Sequence, residues 1–504
     1  MPKELMSITD DSRINVNPEM YDTYIKEALV YYKGNFPKVK YRPSIGNDGR
    51  HEYIKERPFN ALNMTKAMCR RMASIIFGKT AEYSFENEQL GVFINDVFQQ
   101  NRFNDNLQEK LEKAIATGGF AVRPYVENDE VKIAWCDADQ FYPLESNSNE
   151  IKECCIASTT VKAGEEKNEY TYYTLLEFHQ WQPDGTYTIT NELYKSDNES
   201  TVGEQVPLDE VYDGLQDEVV FHNISRPLFA YFKMPSANNK VLRSPLGLGI
   251  VANNKDTLDN INYTHDAFMW DIRTGKRTVL APAQQVVFDQ NHKPAFDPDT
   301  DAFVAVNASP QDFKPQELNF DIRVEEFTQT INYWIAEFES GCGVSNGTFS
   351  FNPQSGLQTA TQVISENSQT YQTRESILTS LDKCITDLAT AIIEMALTPA
   401  LFNNGETPLP ANLLNSIDFG NIGLSIHHDD SVFVDANTQR DEDLKVVAAG
   451  IMSKKTFLMR NYGMSEDQAE QEIEQINKEN AEKPMPAMTP LSQAMTSTDD
   501  DEGD

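Results

Sequence analysis

The sequence predicts an α+β fold. Apolar residues recur at helical spacing in several long segments. Over about 120–232 they follow strand spacing instead, with aromatic and β-branched residues set between turn signals. At 504 residues the chain exceeds one ordinary core, so more than one folded unit is expected.

The helices come first. ALNMTKAMCRRMASIIFG (61–78) places Leu62, Met68, Met72, Ile75 and Ile76 close to helical spacing, with Gly78 as a stop. A second helix is expected around LGVFINDVFQQN (90–101) and a third over NLQEKLEKAIATGG (106–119). FAVRPYV, VKIAW, YTYYTLLEFHQW and TYTITNELY then read as strands, with Pro183-Asp184-Gly185 as a turn. MPSANNKVLRSPLG (234–247) is a loop by composition.

Three long helical segments follow. Over 246–274, Val251, Asn254, Leu258, Ile261, His265, Phe268 and Ile272 form one stripe, on a helix roughly 40 Å long. Over 323–340, Val324, Phe327, Ile331, Trp334 and Phe338 step at helical intervals. Over 359–397, Ile377, Leu381, Ile385, Leu388, Ile392 and Met395 make the second half apolar, while the first half is polar on nearly every face. Between the first two lies a proline-punctuated β module, 277–320, with strands expected at 278–281, 285–288 and 302–306. Between the second and third lies GCGVSNGTFSFNPQSG (341–356), long for a compact connection and free of Lys and Arg. Beyond 400, SIDFGNIGLSIHHDD reads as strand and 436–484 as helical. The acidic tail 485–504 reads as disordered.

Composition narrows the function. The 39% hydrophobic and 10% aromatic content is that of a packed protein rather than a disordered one. No apolar run reaches the roughly 20 residues that span a bilayer, and MPKELMSITDDSR is no secretory signal, so cytoplasmic production is expected. The net charge of −35 argues against a protein that grips nucleic acid through its phosphates. Six cysteines without paired spacing read as free, structural thiols; adjacent Cys154 and Cys155 would face opposite sides of a strand.

Motifs for chemistry fail on inspection. ASIIFGKT (73–80) approaches the phosphate loop but lacks its first glycine, and it closes a helix, where exposed carbonyls repel anions. Asp297, Asp299 and Asp301 alternate as in a calcium loop, yet Ala302 and Ala308 stand where glycine and glutamate belong. His427-His428-Asp429-Asp430 has ligand-type residues on alternating strand faces, with no second cluster nearby in sequence. His179 and His265 read as satisfied structural histidines. No nucleophile elbow, HExxH or Cys/His set occurs, so no catalytic, cofactor-binding or metal residues are assigned.

Several stretches together carry a family likeness: LNMTKAMCRRMASIIFG (62–78), AIATGGFAVRPYV (114–126), DADQFYPL (137–144), LFAYFKMPSANN (228–239), SPLGLGI (244–250), GVSNGTFSF (343–351) and LQTATQVISENSQTYQTRESI (357–377). In this order they resemble the portal proteins of tailed phages infecting Gram-positive bacteria. The resemblance implies a wing at 1–245, stem helices at 246–276 and 322–341, and a clip at 277–321. It further implies a tunnel loop and long channel helix at 342–398, a return to the wing at 399–435 and a crown at 436–484. Gly343, Val344, Ser345, Asn346, Gly347, Thr348, Phe349 and Ser350 would then face DNA, and Val324, Phe327, Ile331, Trp334 and Phe338 would pack the stem. It implies a ring of about twelve subunits at a capsid vertex, assembled in the host cytoplasm. Double-stranded DNA would pass through it without sequence specificity. The implied partners are a terminase, head–tail connector proteins, and major capsid and scaffolding proteins, with no cofactor and no membrane. The residues alone also fit a head or tail adaptor that never encloses DNA.

Overall fold

The computed structural model describes residues 3–41, 55–77, 81–147, 150–164, 170–275, 278–282, 303–306, 316–318, 321–349, 368–403, 405–410, 413, 417–428, 436–462, 464 and 466–482. It separates into two compact units, Met1–Asp429 and Asp430–Asp504. The first begins with β1 (Glu4–Leu5), α1 (Lys26–Lys33), β2 (Val39–Tyr41), β3 (Lys55–Arg57), α2 (Met64–Ile76), β4 (Glu82–Phe85), α3 (Glu88–Gln100) and α4 (Phe103–Thr117). Strands β5 (Gly119–Glu127), β6 (Glu130–Asp137), β7 (Phe141–Ser146), β8 (Ile151–Ala163), β9 (Tyr170–Trp181), β10 (Tyr187–Ser196), β11 (Gly203–Val206), β12 (Glu218–Phe221) and β13 (Ala230–Lys233) follow. Then come α5 (Ile250–Thr274), β14 (Thr278–Pro282), β15 (Phe303–Val306), β16 (Gln316–Leu318), α6 (Val324–Gly341), α7 (Ser368–Ala396) and β17 (Leu424–His427). The second unit contains α8 (Ala436–Ala448), α9 (Lys454–Tyr462) and α10 (Glu466–Glu482). The fold is α+β, as expected.

The main sheet runs β1-β11-β10-β9-β8-β7, with β12 also on β10, and its pairings are antiparallel. Both of its faces are buried over the middle of β8 and β9, which the two adjacent cysteines report. Cys154 packs with Cys136, Phe141 and Phe229, whereas Cys155 packs with Leu5, Ile14, Phe178 and Tyr194. All six cysteines are free and buried. Burial pushes both of these thiols well above the ordinary range, so neither offers a thiolate.

A smaller sheet, β13-β5-β6, joins the strands to the helices. Here two stretches of the family likeness touch. A Cβ on Gly118, whose φ is +110°, would lie 2.3 Å from the Gly247 carbonyl oxygen, and one on Gly247 would lie 2.2 Å from that of Gly118. Only glycine allows this backbone approach, which seats the loop leading to α5 against the end of α4.

The largest core lies among α2, α4, α5, α6 and α7. The expected stripe on α7 is buried at every position from Ile377 to Met395. The α5 stripe is corrected at its far end, where Ile272 is exposed, because the helix there runs past the core. Phe268 of α5 meets Phe327 of α6 with ring centroids 5.1 Å apart. Between these helices β14 pairs parallel with β15 and antiparallel with β16. Two of the expected strands are therefore present, 285–288 lies outside the described residues, and β16 went unforeseen for want of a clear period-two pattern.

The polar side of α5 is the larger surprise. Lys255 pairs with Glu27 at 2.6 Å, and the Tyr31 hydroxyl donates to Asp259 at 2.5 Å. The Leu62 amide donates to Asn262 at 3.1 Å, and His265 Nδ1 donates to the Asn60 carbonyl at 2.8 Å. Asp266 takes both guanidinium nitrogens of Arg57 at 2.6 Å and the Asn60 amide at 3.0 Å, while Arg57 also lies over the Trp270 ring. The N-terminal segment thus runs along α5 and satisfies its polar positions in helical register.

Asp266→Ala would leave Arg57 without its carboxylate in a nearly closed site and should cost about 3 kcal/mol in denaturant unfolding. Burial raises the Asp266 pKa, but the bonds from Arg57 and Asn60 outweigh it and the net shift is downward. Its stabilisation is therefore full above the ordinary carboxylate pKa of about 4 and is lost as pH falls through the depressed value. Asp266→Asn should flatten that acid limb in unfolding measured against pH; an unchanged limb would assign the loss to other carboxylates.

Candidate nucleic-acid interface

The chain that joins α6 to α7 begins as a built structure. At the end of α6 the Cys342 amide donates to the Phe338 carbonyl at 2.9 Å, and the Val344 amide to the Glu339 carbonyl at 2.9 Å. Val344 turns inward and is buried, and so is Ser345. The Ser345 amide donates to the Thr370 hydroxyl at 2.8 Å, and the two hydroxyls lie 3.0 Å apart. The Thr373 hydroxyl donates to the Gly343 carbonyl at 2.7 Å. The connection is therefore tied to the first turns of α7 as well as the last turn of α6.

Residues 345–348 then make a tight turn. Gly347 has φ +96°, which L side chains rarely adopt, and nothing within 4 Å would meet a Cβ there. The Thr348 hydroxyl donates to the Ser345 carbonyl at 2.9 Å. Glu339, 1% exposed, receives the Gly347 amide on one carboxyl oxygen at 2.8 Å and the Phe349 amide on the other at 2.7 Å.

This placement corrects the sequence-derived site. Val344 and Ser345 point into the protein because an apolar side chain and a bonded hydroxyl are better satisfied there than in solvent. Gly343, Thr348 and Phe349 are partly buried, Asn346 and Gly347 are exposed, and Ser350 lies outside the described residues. Among the packing positions of α6, Ile331 and Phe338 are buried, and Phe327 and Trp334 are partly so. Val324, at 53% exposure, does not pack within the chain, since it opens the helix beyond the core. Ile335, nearly fully buried, was missed; it lies one residue from Trp334 on the same broad apolar face.

The electrostatics are simple. Between Arg323 and Arg374 the chain has no lysine or arginine. Arg374 is 2% exposed and aimed inward, its Nε donating to the Ile75 carbonyl at 3.1 Å in the last turn of α2. A cation is favoured at that helix end, and the arrangement is the reverse of a phosphate site. Residues 78–80 of the near phosphate loop, and the acidic run 297–301, lie outside the described residues. Burial pushes the Cys342 thiol well above its ordinary pKa, so no reactive sulfur stands at the loop root.

The histidines are engaged elsewhere. His179 lies between Tyr187 at 2.9 Å and Glu177 at 2.5 Å, and His428 pairs with Asp382 of α7 at 2.6 Å. Among the described residues no three His, Cys, Asp or Glu side chains gather as a metal set, and no helix is long and apolar enough to cross a membrane.

Two long helices flank a small β insert, stand on an α+β body and end in a cation-free, anchored turn. This is the helix, β insert, helix, loop, helix order read from the sequence. Residues 13–484 match the family model for "Phage portal protein, SPP1 Gp6-like", and the chain belongs to that family. No curated protein matches it. Its function is that of a phage portal: a component of the capsid vertex, in a family of structural proteins that form homo-oligomeric rings serving DNA packaging.

Arg374→Met should leave the Ile75 carbonyl without its donor and lower unfolding stability by about 1–3 kcal/mol. Arg374→Lys should recover only part of that, because an ammonium does not reproduce the planar geometry. Equal stability of all three proteins in denaturant titration would remove Arg374 from the helix-joining role.

Proposed function

We propose that copies of this chain close into a ring of about twelve around a DNA conduit, with Asn346 and the residues that follow it lining the narrow part. The observation that carries this reading is the loop root. It presents small, neutral, hydrogen-bonding groups and no cation, and neutral groups touch a phosphate backbone without the strong salt-dependent grip of lysine and arginine. DNA could then slide in either direction, for packaging and for ejection.

The exposed apolar groups on α5 and α6 support ring formation. Tyr263 is 66% exposed and Tyr333 56%, and Met269 and Val324 add to them. Such groups suit burial against neighbouring copies. In this reading 277–321 is the clip that docks connector proteins and the terminase, which supplies the ATP hydrolysis. Helices α8 to α10 form the crown, and the ring assembles in the host cytoplasm before taking its place at the vertex.

Electron microscopy of the purified protein should show rings with a central hole; channel-free assemblies would sink the proposal. Asn346→Arg places a cation on an exposed position without touching the Ser345–Thr370 bond. Rings should still form, while packaging in a terminase-driven assay should slow or stall. Packaging at the normal rate would remove this segment from the DNA path.

A second expectation follows from charge. Copies that each carry −35 repel one another across solvent, and salt screens that repulsion. Ring assembly measured by sedimentation should therefore strengthen between low and moderate salt. Dissociation by salt would instead mean that ion pairs hold the interface.

A further inference from the structure

We infer that Glu339 is a positioning residue for the DNA-facing segment: its carboxyl group clamps the backbone at Gly347 and Phe349 and fixes where the loop leaves the α6–α7 pair. This rests on the proposal that the loop faces DNA. Nothing in the sequence marks Glu339, which lies on an otherwise ordinary helix.

The argument begins with cost. A carboxyl group taken out of water must be compensated, and buried carboxylates are ordinarily met by a cation. Glu339 is 1% exposed, and its side-chain partners among the described residues are the two loop amides, at 2.8 and 2.7 Å. If this position served only to fill the core, an apolar residue would do so at lower cost. What the carboxyl group adds is geometry. Each oxygen takes one amide, so the two amides are held a fixed distance apart, as the turn at 345–348 arranges them.

The clamp also acts where it has leverage. Glu339 lies in the last turn of α6, and its own carbonyl holds the Val344 amide. Side chain and main chain of one residue therefore hold the loop root at Val344, Gly347 and Phe349. From the other side Thr370 and Thr373 hold Ser345 and Gly343. A load that DNA places on the loop would reach α6 through Glu339 and α7 through Thr370 and Thr373. Up to Phe349 the loop is thereby tied to both helices.

Glu339→Gln tests this with little change in shape. The amide oxygen can accept one loop N–H, but the NH2 group then faces the other, donor against donor. In assembled rings, hydrogen exchange at Gly347 and Phe349 should speed up by roughly tenfold or more. Exchange over 377–395 should stay unchanged, and packaging should slow. Thr370→Val, which breaks the opposite anchor, should speed exchange at Ser345 and leave Phe349 protected.

Unchanged exchange at Gly347 and Phe349 in Glu339→Gln rings overturns the clamp. Faster exchange with normal packaging overturns the positioning role and leaves Glu339 a structural contact. Asn346→Arg separates the two ideas. If it stalls packaging while Glu339→Gln does not, the loop faces DNA and Glu339 does not position it. If it has no effect, the DNA-facing assignment itself falls.

Discussion

Asp266 places a buried carboxylate on a long helix, and the N-terminal segment compensates it. Burial disfavours its charge; Arg57 and Asn60 restore it with short, geometrically matched bonds. Because those partners belong to the N-terminal segment, these bonds tie that segment to α5. Lys255, Asp259 and Asn262 extend the contact at successive turns. The helix is thus held from one side by polar bonds and from the other by the apolar core it shares with α6 and α7. Fixed in this way, α5 can support a partner helix, the insert between them and the loop that follows.

The loop root extends the same logic to a smaller scale. Its backbone polar groups lie between two helices, where every amide needs an acceptor. Glu339, Thr370 and Thr373 supply acceptors and donors from both sides. Arg374, one residue beyond Thr373, turns the other way and joins α7 to the end of α2. Arg374, the first cation in sequence after the loop, is therefore engaged inside the protein. The proposed DNA-facing segment thus has no lysine or arginine in its sequence, in a chain whose overall charge repels DNA at a distance.

The glycine contact between Gly118 and Gly247 connects these parts to the sheets. It brings the end of α4 against the start of α5, so the small sheet, the helical core and the long helices meet at one junction. Both glycines fall in stretches that carry the family likeness, AIATGGFAVRPYV and SPLGLGI.

Much of this was legible in the sequence because burial imprints a period. The α7 stripe, the helix at 64–76 and the opposite faces of Cys154 and Cys155 all follow from the spacing of apolar residues, and the order of elements with its characteristic stretches pointed to the family. Tertiary structure decided what spacing cannot encode. Val344 and Ser345 look like loop residues, yet lie inside, Val344 in the apolar core and Ser345 bonded to Thr370 of α7, 25 residues away. Glu339 reads as one more surface acid until two loop amides close on it. Polar contacts depend on which distant group arrives at bonding distance. The sequence by itself determined the elements and the family, and the folded chain alone determined which polar side chains hold the proposed DNA-facing segment in place.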